Sequence, residues 1–119
     1  MNNSMNGSSA KKKLKIAQVA PLWFTIPPRA YGGIERIVSS LTEGLVARGH
    51  DVTLFAAPGS RTAAKLVSVF PKALSEENIS WSNPIWNLRN LSLAAEQSRR
   101  GAFDLIHLHT DLWGLFFQG

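Results

Sequence analysis

The chain has 119 residues, room for one domain at most, and its 45% hydrophobic and 18% charged residues suit a folded globular body. Its net charge of +5 is concentrated in Lys11, Lys12, Lys13 and Lys15; what remains is 9 basic against 8 acidic residues, so a nucleic-acid-binding body is not indicated. The absence of cysteine excludes disulfides, thiolate metal sites and thiol catalysis, and is compatible with a cytoplasmic protein.

Residues 1–13 read as a polar and basic leader, disordered at its Asn-, Ser- and Gly-rich start. The lysines and the apolar stretch after them imitate a signal peptide, but Lys15, Gln18 and Pro21 interrupt the apolar stretch. No run approaches the roughly 18 to 20 apolar residues that span a bilayer. Residues 14–119 then form the folded part.

Leu14–Ala20 predicts a strand covered on both faces. A loop with Pro21, Pro27 and Pro28 ends at Gly32-Gly33. The spacing of Ile34, Ile37, Val38, Leu41 and Leu45 predicts a helix that buries this stripe. Glu35 and Arg48 suit the helix dipole at its two ends, and Gly49 suits a left-handed stop. Gly44, inside the helix, reads as a point of close packing against a sheet. Asp51–Ala57 predicts a second strand, Pro58-Gly59-Ser60 a turn, and Lys65–Phe70 a third strand. Asn83-Pro84 opens a second helix running to about Arg100, with Ile85, Leu88, Leu91 and Ala95 facing inward. Phe103–Thr110 predicts a fourth strand, and a segment beginning at Asp111 follows.

This order predicts an α/β fold, a Rossmann-like half-sheet of mainly parallel strands in the spatial order 3-2-1-4 with flanking helices. The fourth strand would then be an edge, and it is too apolar for one; so is Leu112–Phe117. The reading that follows is a domain cut short before its later strands, with a dimer interface as the alternative.

In such a sheet, ligands bind beyond the carboxyl ends of the strands, where the strand order reverses. That point lies between strands 1 and 4, where Gly32-Gly33 meets the His107–Asp111 stretch. Paired glycines at a helix start let a phosphate approach free N–H groups, though a loop turn would also use them. The GxGxxG and P-loop fingerprints are absent, against a dehydrogenase or an ATPase. His107 and His109 share one face of the strand; His109 should reach the crevice and His107 should sit deeper, in the core. With Asp111 they also fit a metal site, which the lack of further ligands disfavours; Asp111 can equally cap a helix. His50 reads as structural, and Trp23 and Tyr31 as able to stack on a sugar or to pack on the sheet.

Three stretches, Tyr31-Gly32-Gly33-Ile34-Glu35, Arg48-Gly49-His50-Asp51-Val52 and Asp104-Leu105-Ile106-His107-Leu108-His109, occur in suitable order and spacing. Together they make residues 14–113 resemble the N-terminal region of family-4 glycosyltransferases. The resemblance implies a GT-B fold with two Rossmann-like domains facing a cleft. It implies retaining transfer from a nucleotide sugar to an acceptor hydroxyl, with no cofactor and no metal ion. It further implies that Gly32 and Gly33 lie near the donor diphosphate and His109 near the transferred sugar, with Tyr31 and Asp111 as further substrate-binding candidates. The C-terminal domain that binds most of the donor is missing from this sequence and would have to come in cis or from another chain. The isolated chain is therefore expected to be inactive, and some relatives' lipid acceptors make peripheral membrane contact an open expectation. The rival readings are a non-catalytic carbohydrate- or nucleotide-binding module and another nucleotide-using Rossmann-like enzyme.

Overall fold

The computed structural model describes residues 12–30, 32–68 and 85–109. Strand β1 (Lys15–Val19) leads through a loop to helix α1 (Gly33–Ala47), and then to β2 (Asp51–Phe55) and β3 (Lys65–Val67). Helix α2 (Ile85–Arg99) precedes β4 (Leu105–Leu108). The four strands form one sheet in the order β3-β2-β1-β4, and every neighbouring pair is parallel. The expected order 3-2-1-4 and the Rossmann-like half-sheet are thus present. The strands are shorter than the apolar runs that announced them, because residues such as Ala20, Ala56 and Ala57 stay buried after the ladder ends.

Alternation along the strands divides the core into two layers. Ala17, Val19 and Phe55 pack with Leu91 and Ala94 of α2, joined by Ile106, Leu108 and Phe103. Phe55 and Phe103 meet edge to face with ring centroids 5.8 Å apart. On the opposite face Ala20, Ile26, Val38, Leu54 and Ala56 form the second layer, with Val38 contributed by α1. The inner face of α2 comprises Asn90, Leu91, Ala94 and Ala95; Leu88 is half-buried. Asn90 was absent from the expected apolar face. It is buried because its Nδ2 donates to the carbonyls of Ala20 and Phe55, both at 3.2 Å.

The inward stripe of α1 differs from the expected one. Glu35, Val38 and Thr42 are its buried residues, whereas Ile34 and Ile37 are 53% and 63% exposed. The hydrophobic spacing located the helix but placed its inner face one position off, because Gln18 on the sheet pairs with Thr42. Gly44 is exposed, and nothing lies within 4 Å of where its Cβ would stand, so close packing does not explain it. The helix stop is as expected: Gly49 has φ 91°, its N–H bonds the Val46 carbonyl at 2.9 Å, and the His50 N–H bonds that of Leu45 at 3.2 Å. Arg48 is the C-cap residue rather than part of the last turn.

Ties at the amino edge fix the register. His50 Nδ1 accepts the Leu14 N–H at 3.1 Å, which gives His50 the structural place expected of it. Asp104 accepts the Lys15 N–H through Oδ2 at 2.9 Å and donates its own N–H to the Lys15 carbonyl at 2.7 Å.

Candidate functional site

The loop leaving β1 crosses the carboxyl edge of the sheet. Ala20 N–H donates to the Phe55 carbonyl at 2.9 Å, and Ile26 N–H donates to Ser60 Oγ at 2.9 Å. Ser60 Oγ in turn donates to the Ala57 carbonyl at 2.6 Å, so the turn after β2 holds the loop in place. From behind, the side-chain oxygen of Asn87 accepts the Leu22 N–H at 3.0 Å. In this loop Trp23 is half-buried, and its ring meets Phe24 at 5.9 Å, edge on.

The loop delivers Gly32 as the residue preceding α1, with φ 144°, ψ 79° and no side-chain cap. A side chain is barred there on two counts. The positive φ disfavours L residues, and a Cβ would stand 2.8 Å from Glu35 Oε1 and 3.0 Å from Pro28 Cβ. Gly33 differs: it is exposed, and a Cβ there would meet nothing within 4 Å. The first turn of α1 therefore opens to solvent at Gly33, and the residue that precedes it, Gly32, offers no capping side chain. Beneath it Glu35 is buried, and this burial pushes its carboxyl above the usual carboxylate range, offset in part by a hydrogen bond from its own backbone N–H.

His109 follows β4. Its N–H donates to the Val19 carbonyl at 2.9 Å, which continues the ladder one residue beyond β4. Its Nε2 lies 3.0 Å from Gln18 Oε1, and Gln18 Nε2 donates to Thr42 Oγ1 at 3.4 Å. Gln18 and Thr42 are both fully buried. A polar line thus runs from α1 through the carboxyl-terminal half of β1 to the end of β4. Burial lowers the His109 pKa to about 4, with the neighbouring His107 charge adding to the effect. The two rings lie 4.1 Å apart between centroids, tilted by 38°.

His107 is exposed, not buried in the core as expected. It shares the α1-side face of the sheet with Leu105 and His109, and α1 covers β2 rather than β4, so Leu105 is also 51% exposed. Gly32, Gly33 and His109 lie at the same carboxyl edge, because β1 and β4 are parallel neighbours with Val19 opposite Leu108. Tyr31 and Asp111, and with Asp111 the metal reading, lie outside the described residues. Among the described residues no three metal-ligating side chains cluster, and no helix is long and apolar enough to cross a membrane. Gln18 and Thr42 were missed as site residues. The available signal for Gln18 was a lone amide in the centre of an apolar strand.

The sequence model of Glycosyltransferase Family 4 matches residues 31–117, well over half of the chain. No curated protein matches it. The match takes in both glycines of the loop, α1, the whole of β2 to β4 and His109, so the chain belongs to glycosyltransferase family 4.

Proposed function

We propose that this chain forms the acceptor-side part of a retaining, nucleotide-sugar-dependent glycosyltransferase of the GT-B type. In this reading the open first turn of α1 at Gly32-Gly33 receives part of the donor diphosphate, and His109 holds the transferred sugar. The observation that carries it is the common carboxyl edge shared by the uncapped α1 terminus and the end of β4.

The chemistry suits these groups. The bond from the anomeric carbon to the diphosphate oxygen breaks, a bond to the acceptor oxygen forms, and the acceptor hydroxyl's proton passes to the departing diphosphate oxygen. The departing diphosphate gains negative charge, which fixed backbone N–H groups and the positive end of a helix stabilise without reorganising. A histidine with a pKa near 4 is neutral at pH 7. With Nε2 engaged by Gln18 it offers its other ring nitrogen to a sugar hydroxyl and adds no charge of its own. Tyr31 and Asp111 complete the substrate-facing set in this proposal, with no metal ion. The remaining donor contacts come from a second domain, in cis or on another chain. The protein acts in the cytoplasm, and Lys11–Lys15 suit contact with an anionic bilayer surface.

Two measurements test the proposal. Incubation of the 119-residue chain with radiolabelled nucleoside diphosphate sugars should give no transfer; robust transfer would overturn the division of the site between two domains. Titration of ¹⁵N-labelled chain with a nucleoside diphosphate sugar should move the Gly33 and His109 resonances first. Shifts confined to the amino edge, around Leu14 and Asp104, would overturn the site.

A further inference from the structure

A half-buried imidazole held by a fully buried amide has a defined protonation pattern. Gln18 Oε1 is a carbonyl oxygen and can only accept. The 3.0 Å contact with His109 Nε2 is a hydrogen bond only if Nε2 carries the proton. The same amide turns its NH2 group to Thr42 Oγ1. Thr42 Oγ1 accepts that group at 3.4 Å, so the amide turns its NH2 to α1 and its carbonyl to the imidazole. Reversing the amide would require the Thr42 hydroxyl to donate toward the sheet instead.

We propose that Gln18 is a positioning residue that holds His109 in its Nε2–H tautomer, leaving Nδ1 as a hydrogen-bond acceptor for a sugar hydroxyl. The sugar as occupant rests on the proposed function; the tautomer does not. The consequence concerns the ligand's chemistry. An accepting nitrogen takes the hydrogen of a hydroxyl or an amine and turns away a carboxylate oxygen, so the group next to His109 is a neutral hydroxyl rather than the acid of a uronate. Gln18 makes this choice from inside β1 without touching the ligand. Thr42 supports it from α1, fixing which end of the amide faces the imidazole.

The experiment is long-range ¹H–¹⁵N correlation NMR of the uniformly labelled chain at pH 7, with imidazoles assigned through His50→Gln and His107→Gln. His109 should show Nε2 as the protonated nitrogen and Nδ1 as the bare one. Gln18→Met removes the carbonyl at similar volume and should give a mixture of tautomers. Thr42→Val, a milder change, should weaken the preference in the same direction. A wild-type spectrum with Nδ1 protonated overturns the proposal, whether or not either variant folds. A preference unchanged in folded Gln18→Met overturns it as well. Addition of a nucleoside diphosphate hexose separates the two readings. If Nε2–H is found and the sugar leaves His109 unmoved, the ligand assignment fails and the positioning role of Gln18 stands. If the sugar moves His109 and Nδ1–H is found, the reverse holds.

Discussion

The two glycines before and at the start of α1 do different work, and substitution separates them. Gly32→Ala forces a Cβ into Glu35 and Pro28 at a positive φ, and should cost on the order of 1–3 kcal/mol, read as a lowered urea midpoint. Gly33→Ala meets open space and should leave the midpoint within about 0.5 kcal/mol. It should nonetheless weaken the response to a nucleoside diphosphate in an NMR titration, since its methyl stands where the phosphate would approach. Equal stability losses at both positions would contradict this assignment. His109 supplies a pH signature. Its folded pKa of about 4 lies below the ordinary 6.5, so its contribution is fully present above pH 6.5 and is lost as pH falls toward 4. His109→Asn should flatten that part of the stability–pH curve by about 1 kcal/mol, the side chain being only half-buried. A curve of unchanged steepness between pH 6.5 and 4 would show that His109 is not desolvated. His107, on the same strand face, was expected in the core and is exposed, because alternation gives a residue's face but not whether anything covers that face.

Each helix was visible in the sequence, and its orientation was less so. The stripe from Ile34 to Leu45 marks α1 correctly, and Gly49 ends it in the left-handed conformation expected of it. The inner face nevertheless falls on Glu35, Val38 and Thr42, two of them polar; for Thr42 the buried amide of Gln18 on the sheet overrides an apolar count. Ile34 and Ile37 are left on the outside. Gly44 is the element-scale test. It is exposed, and an added methyl meets nothing, so Gly44→Ala should raise stability by about 1 kcal/mol through helix propensity alone. A loss of stability on thermal melting would mean that an unseen neighbour needs the space. In α2 the same limit applies: Leu91 and Ala95 were foreseen, but Asn90 was not, since its role depends on carbonyls of β1 and β2 lying where they do.

For the molecule as a whole, strand order followed from connection rules, because alternating strands and helices leave few right-handed arrangements. The common carboxyl edge, beyond which β1 leads on to Gly33 and β4 to His109, followed from that order. The line from Thr42 through Gln18 to His109 did not, since nothing local to any of the three residues signals the other two. Asn90 gives the whole-molecule test. It binds the exits of β1 and β2 to the helix behind them, and Asn90→Ala leaves those bonds unmade in a dry layer. The cost should be about 1–3 kcal/mol, with broadened resonances in the Ala20–Ile26 loop. A sharp, unmoved loop would show that the asparagine is dispensable.

Gln18 and His109 stand 91 positions apart in the chain, although they touch. A polypeptide emerging from the ribosome carries its central amide long before the imidazole exists, so this pair is among the last contacts to close. Contacts of such separation contribute only after the intervening segment has been ordered. The state of that one imidazole should therefore report completed folding rather than early collapse. A refolding time course followed at its ring protons should lag behind helix formation followed by circular dichroism.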